Sequence, residues 1–286
     1  MTAASWTGEA FPPVDHCIYA HRDEEHTPFT DEHIIPFGLL PKGGDWFLPK
    51  SSCLKCNAIT TRFEDTCLRG TFGVFREHLD LKTRRKKNRN KPREVWFKGP
   101  DGSDSKQEMQ VADIPRYCLG FNWLPPGILR GQSPTPELNF SGETVLRYAR
   151  GELEKFIPDK HGFRLGSVRM LDFARMLAKI AHSYAIGKCG ENAFEPMLPD
   201  LILGRDEHAP YLIGGDPRGT PPAQPRVLHD IYPMSAAIGD DGITYLGFVI
   251  RLFAFWETPT YFVIVGRKKW RVGPRNERLA RSGPSA

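Results

Sequence analysis

Phe29-Thr30-Asp31-Glu32-His33-Ile34-Ile35-Pro36, then Gly43-Gly44-Asp45-Trp46-Phe47-Leu48, then Ser51-Ser52-Cys53-Leu54-Lys55-Cys56-Asn57, is the stretch whose reading decides the fold. Strand-forming residues flank the Glu32-His33 pair, Gly43-Gly44-Asp45 is a turn signal, and Trp46-Phe47-Leu48 reads as a returning strand. Ser51 or Ser52 can cap a helix on which Cys56, Ile59, Phe63 and Cys67 make an apolar face, with Asn57 in the first turn. A strand end carrying an acid and a histidine thus approaches a helix N-terminus, where the backbone dipole favours a phosphate. A histidine that takes a proton from water needs a fixed orientation and a metal beside it, and the adjacent acid and Asn57 can supply the metal ligands.

Taken singly, a histidine before two isoleucines reads as a half-buried strand residue, and a lone Cys-x-x-Cys as a zinc staple. Together, in this order and spacing, Cys17 to Phe75 resembles the HNH endonuclease family, whose ββα-metal fold clamps one divalent ion between two strands and a helix. The resemblance implies that Glu32 is a metal-binding acid, His33 the general base and Asn57 the last metal ligand, with Asp31 able to exchange roles with Glu32. Mg²⁺ or Mn²⁺ is the implied catalytic ion. His33 would deprotonate water for in-line attack on phosphorus, leaving a 5′-phosphate and a 3′-hydroxyl. Cys53 and Cys56 match the second half of the family's structural zinc knot. The first half departs from the pattern, because Cys17 is followed by Ala20 where a second cysteine would stand. A four-coordinate Zn²⁺ then needs a substitute, for which His21 is the nearest candidate and His16 the next; the alternative is a knot held by packing alone. The middle asparagine of the signature is also replaced, by Leu48.

The chain has 286 residues and a net charge of +5, modest for its size but unevenly spread. From Lys82 to Arg93 there is no acid, and Arg84, Arg85, Lys86, Lys87, Arg89, Lys91 and Arg93 directly follow the catalytic-helix segment. Beside a phosphodiester site this run reads as a backbone-binding arm, against the bland alternative of a solvated loop. A second basic stretch runs from Arg267 through Arg271 and Arg275 to Arg281 and is either another arm or a tail. Double-stranded DNA is the expected partner, and a homodimer is kept among the partner expectations. No segment has the apolar length of a membrane span and the N-terminus lacks a secretory pattern, which predicts a cytoplasmic protein with no membrane partner. Six cysteines without a disulfide-type framework fit a reducing compartment.

Pro100 to about Pro136 is rich in Gly, Pro, Ser and Asp and reads as an irregular connector or a few edge strands. Met170 to Tyr184 carries Phe173, Leu177, Ile180, Ala181 and Tyr184 on one stripe, which predicts an amphipathic helix with His182 beside the stripe as a core histidine. Tyr211-Leu212-Ile213, Ile243 to Trp256 and Tyr261 to Val265 are β-rich runs that predict an antiparallel sheet; His229, Asp230 and Arg251 can line a pocket there, with structural roles preferred. The expected architecture is α+β: residues 1–81 an HNH nuclease module, 82–140 a basic arm and connector, and 141–286 a helix-plus-antiparallel-sheet domain for target choice, dimerisation or regulation. The expected function is metal-dependent DNA hydrolysis, in restriction or defence. The rivals are a non-catalytic, zinc-stapled nucleic-acid-binding module and an RNA-cleaving effector.

Overall fold

The computed structural model describes residues 8–19, 28–84, 91–135, 138–149, 152–156, 162–164, 169–234, 237–239 and 242–269. It begins with the hairpin β1 (Phe29–His33) and β2 (Phe47–Cys53), followed without a loop by α1 (Leu54–Arg69) and then α2 (Gly73–His78). The middle holds β3 (Arg93–Lys98), β4 (Asp104–Met109), β5 (Tyr117–Trp123), β6 (Gly142–Tyr148), α3 (Glu152–Phe156) and β7 (Gly162–Arg164). The last part comprises α4 (Met170–Cys189), β8 (Phe194–Pro196), α5 (Pro199–Leu203), α6 (Ala209–Leu212), β9 (Ile213–Gly215), β10 (His229–Pro233), β11 (Tyr245–Leu252) and β12 (Tyr261–Lys268). The fold is mixed helix and sheet, as the α+β expectation requires.

The hairpin is antiparallel, with Glu32 opposite Leu48 and His33 opposite Phe47, and its register shifts between Thr30 and Glu32. The extra residues lie in β2 around Pro49 and Lys50. Lys50 takes a left-handed φ of 47° and its backbone N–H donates to Asp31 Oδ1 at 3.0 Å. A bulge of this kind re-aims the facing strand; opposite it, Asp31 is exposed, Glu32 buried and His33 half-buried. Ser51 and Ser52 are therefore strand residues rather than helix caps. The cap of α1 is Cys53, whose Sγ accepts from the Cys56 N–H at 3.4 Å.

Helix α4 occupies its expected span, but it is not one-sided: every residue from Met176 to Ala185 is buried. Its aromatic stripe packs on the C-terminal part, with Phe173 against Phe121, Trp123 and Tyr261, and Tyr184 against Phe248. Its polar stripe meets the N-terminal part, where His182 Nε2 pairs with the Ile18 carbonyl at 2.9 Å and Ser183 Oγ lies 3.1 Å from the Tyr19 hydroxyl. The main core is accordingly one cluster that includes residues from Cys17 to Val265.

Behind α4 lies an antiparallel sheet in the order β10-β11-β12-β8, with β9 sharing the outer edge of β12 with β8. Tyr211 and Leu212 belong to α6 rather than to a strand; Pro210 at the helix start favours that turn, and the strand begins at Ile213. The connector contains β4 and β5, and a smaller core of Val74, Val95, Phe97, Val111, Ile114 and Tyr117 sits beneath β3. No helix among the described residues is long and apolar enough to cross a membrane.

Candidate functional site

A cleft of about 490 Å³ opens where the end of β1 faces α1, and His33, Glu32, Asp31 and Asn57 all line it. The hairpin delivers the first three and the helix delivers Asn57, on the same α1 face as Glu64, seven residues and two turns further on. The sequence-expected catalytic residues are thus brought together around one opening.

His33 is half-buried, with its ring 5.4 Å from that of Phe37 and edge-on to Phe47 at 6.3 Å. Burial, reinforced by the positive charge of Lys179, lowers its pKa from 6.5 to about 4, while Asp45 opposes the shift. The imidazole is therefore neutral at pH 7 and can accept a proton. Its Nδ1 is 3.7 Å from Asp45 Oδ1 and has no hydrogen-bond partner.

Glu32 is only 3% exposed, and Lys179 of α4 reaches it. The Lys179 ammonium lies 2.8 Å from Glu32 Oε1 and 2.9 Å from Glu64 Oε1, and it also donates to the His33 carbonyl. Burial alone would lower the Lys179 pKa, but the attraction of the two carboxylates holds it above the ordinary value. Burial pushes the Glu64 carboxyl up in spite of the lysine. Glu32 Oε2 is buried and has no hydrogen-bond partner. Sequence reasoning missed Lys179, Glu64 and Asp45. An intrahelical lysine among Ala178, Ile180 and Ala181 is the one signal that points to the first of them.

The basic candidates separate. Arg84 lies over the Phe37 ring at 5.1 Å, on the cleft wall near His33, and Lys82 lies over the same ring at 4.9 Å. The Lys82 N–H donates to the Leu40 carbonyl at 3.0 Å, and Arg76 donates to the Lys82 carbonyl at 2.6 Å. Arg76 can do so because Gly38 leaves room: a Cβ there would meet its guanidinium at 2.6 Å. Arg93 also lines the cleft but is ion-paired with Glu77, and Lys91 is exposed. Arg85, Lys86, Lys87 and Arg89 lie outside the described residues, as do Arg271, Arg275 and Arg281. Asp230 and Arg251 line a second cleft of about 330 Å³ in the C-terminal part. Arg251 spends its guanidinium on the Thr258, Pro222 and Pro221 carbonyls, and His229 is buried with Nε2 2.9 Å from the Leu39 carbonyl. Both have structural roles.

At the N-terminus of α1, the sulfurs of Cys17, Cys53 and Cys56 lie within 4.8 Å of one another and are buried, a group that can hold a metal ion. The Cys17 segment is laid beside β2 by backbone bonds from Val14 to Pro49 and from Ile18 to Ser51. Hydrogen bonding with Cys17, then burial, pushes the Cys56 thiol far up; a bound cation inverts that preference and favours the thiolate. Ala20 and His21 lie outside the described residues. His16 is turned to Glu191, 2.8 Å from its Oε2, and is not part of the sulfur group. None of the six cysteines is in a disulfide. No protein-family model, curated protein or solved structure matches this chain.

Proposed function

We propose that the β1-β2-α1 unit is an HNH-type ββα-metal site and that the protein is a metal-dependent endonuclease hydrolysing phosphodiester bonds in DNA. The observation that carries this reading is the convergence of His33, Glu32 and Asn57 on one cleft. The donor set fits a hard divalent ion such as Mg²⁺ or Mn²⁺, since carboxylate and amide oxygens are its preferred ligands and Glu32 Oε2 is a buried oxygen with no partner. Glu32 and Asn57 would hold such an ion, with Asp31 at the rim; when bound it neutralises charge developing on the phosphodiester.

The chain's own residues do the rest. Neutral His33 takes the proton of the attacking water, and a phosphodiester beside it raises its basicity by favouring the imidazolium. Arg84, held against Phe37 on the cleft wall, is placed to bind a phosphate, and the sequence after it carries further positive charge for a nucleic-acid backbone. Three buried thiols suit Zn²⁺, whose tetrahedral site His21 would complete four residues beyond Cys17. Held by such an ion, Cys53 and Cys56 would fix the start of α1 and with it Asn57.

One observation favours a second reading. The Lys179–Glu32 ion pair already supplies a positive charge to the acid, which suits a nucleic-acid-binding module without turnover. Incubating purified protein with supercoiled plasmid, or with RNA, in Mg²⁺, Mn²⁺ or chelator separates the readings. Nicking that requires the metal is expected; retardation of the plasmid without cleavage in any metal would establish the binder, and cleavage of RNA alone the RNA-cleaving alternative.

A further inference from the structure

Lysine ammonium groups carry three N–H donors and no acceptor. Buried Lys179 donates to the His33 carbonyl and ion-pairs with Glu32 Oε1 at 2.8 Å and Glu64 Oε1 at 2.9 Å, the last a charge contact that leaves Glu64 Oε1 without a hydrogen bond. Its side chain is fully buried, so no water competes for those donors. Two of the anchors are consecutive residues of β1 and the third belongs to α1, two turns beyond Asn57 on the same face. The ammonium therefore bridges the two elements whose separation defines the cleft. By engaging Oε1 it also restricts Glu32 to presenting a single oxygen, Oε2.

We infer that Lys179 is a positioning residue of the cleft, a cation supplied by α4 that fixes the Glu32 carboxylate and the His33 backbone against α1. The catalytic meaning of that role rests on the nuclease reading; the geometric role does not. It follows that the site is complete only when the part of the chain carrying α4 is packed on the β1-β2-α1 unit. The competing explanation is charge balance alone, in which Lys179 merely keeps two buried carboxylates from facing each other uncompensated.

Two variants distinguish these roles. Lys179→Met with Glu64→Gln removes one charge of each sign, so the net charge of the trio is unchanged while the bridge is gone. Lys179→Arg keeps the positive charge but replaces the compact ammonium with a planar fork. Folding is checked by thermal unfolding. The readouts are the single-turnover plasmid cleavage rate, the DNA affinity, and the imidazole ¹H–¹³C resonance of His33 in protein without added Mg²⁺ or Mn²⁺, assigned by its loss in His33→Ala. The expected result is unchanged DNA affinity, a cleavage rate reduced by ~10²-fold, as a displacement of about 1 Å produces, and a shifted, broadened His33 resonance. A folded variant with an unmoved resonance overturns the inference whatever its rate, as does a moved resonance with a wild-type rate. Failure of both variants to fold marks Lys179 as purely structural and overturns it too. Should the wild-type chain cleave nothing in any metal, the nuclease reading fails by itself, and the resonance alone decides whether Lys179 positions His33.

Discussion

His33 Nδ1 and Asp45 Oδ1 stand 3.7 Å apart, close enough for charge to act but too far for a hydrogen bond. The imidazole is consequently oriented by Phe37, by Phe47 and by the lysine on its own carbonyl, with Asp45 acting on it through space. Lys82 is 3.7 Å from the same carboxylate oxygen and dilutes its effect.

This separation sets a graded pair of expectations for cleavage. His33→Ala removes the general base and should lower the rate by roughly 10² to 10⁴-fold with DNA binding nearly intact. Asp45→Asn removes only a Coulombic influence and should cost much less. Near-normal single-turnover rates in His33→Ala would sink the assignment, and an Asp45→Asn defect as deep as that of His33→Ala would show that the carboxylate closes on the ring during the reaction.

The sulfur triangle leads to a compositional prediction. Purified protein should carry about one zinc per chain, and Cys53→Ser or His21→Ala should lower both zinc content and thermal stability, because structural zinc contributes folding free energy directly. Metal analysis that finds no zinc in protein that still cuts plasmid would show the knot to be held by packing. Ala20→Cys is the informative gain: a fourth thiolate should tighten zinc retention against a chelator.

Stability should fall in mild acid. Burial lowers the pKa of both His182 and His229 from 6.5 to about 4. Between those values the unfolded chain binds protons that the native chain refuses, so stability rises with pH through this window and is lost as pH falls through it. The two histidines together give a slope of up to about 2.7 kcal/mol per pH unit in the middle of the window, and His33 adds in the same sense. Urea unfolding at a series of pH values should show this slope, and His229→Gln should flatten it. A profile that is level across the window would mean that the histidines are not buried neutral.

Basic residues beyond the cleft wall should act on affinity rather than on chemistry. Replacing Arg84, Arg85, Lys86 and Lys87 with Gln should weaken binding alike on unrelated sequences. The log-log salt slope, about −0.9 per phosphate contact, should become shallower by roughly two to four units. Wild-type affinity and salt dependence in this variant would identify the run as a solvated loop.

Much of the cleft was legible because its residues are near neighbours in the chain. The run from Phe29 to Asn57 specifies two strands, a turn and a helix through patterns of period two and 3.6 and through the Gly43-Gly44 turn, and these elements carry His33, Glu32 and Asn57 to a common opening. Local capping chemistry misled at one point: two serines ahead of a helix are ordinary caps, but a bulge at Pro49 and Lys50 kept them in the strand and passed the cap to Cys53.

What the sequence by itself determined is this local frame, the Cys-x-x-Cys at the start of the helix, and the sites where charge collects. What only the tertiary structure decided is which side of α4 meets solvent. Asp172, Arg175, Lys179 and Ser183 fall three to four residues apart, which in a sequence describes the wetted face of an amphipathic helix. Packing against the hairpin and α1 instead buries Lys179 and Ser183 and pairs the lysine with Glu32 and Glu64, residues too distant in the chain for any periodicity to connect. A charge can be buried only where opposite charge awaits it, and that complement is a property of the assembled fold.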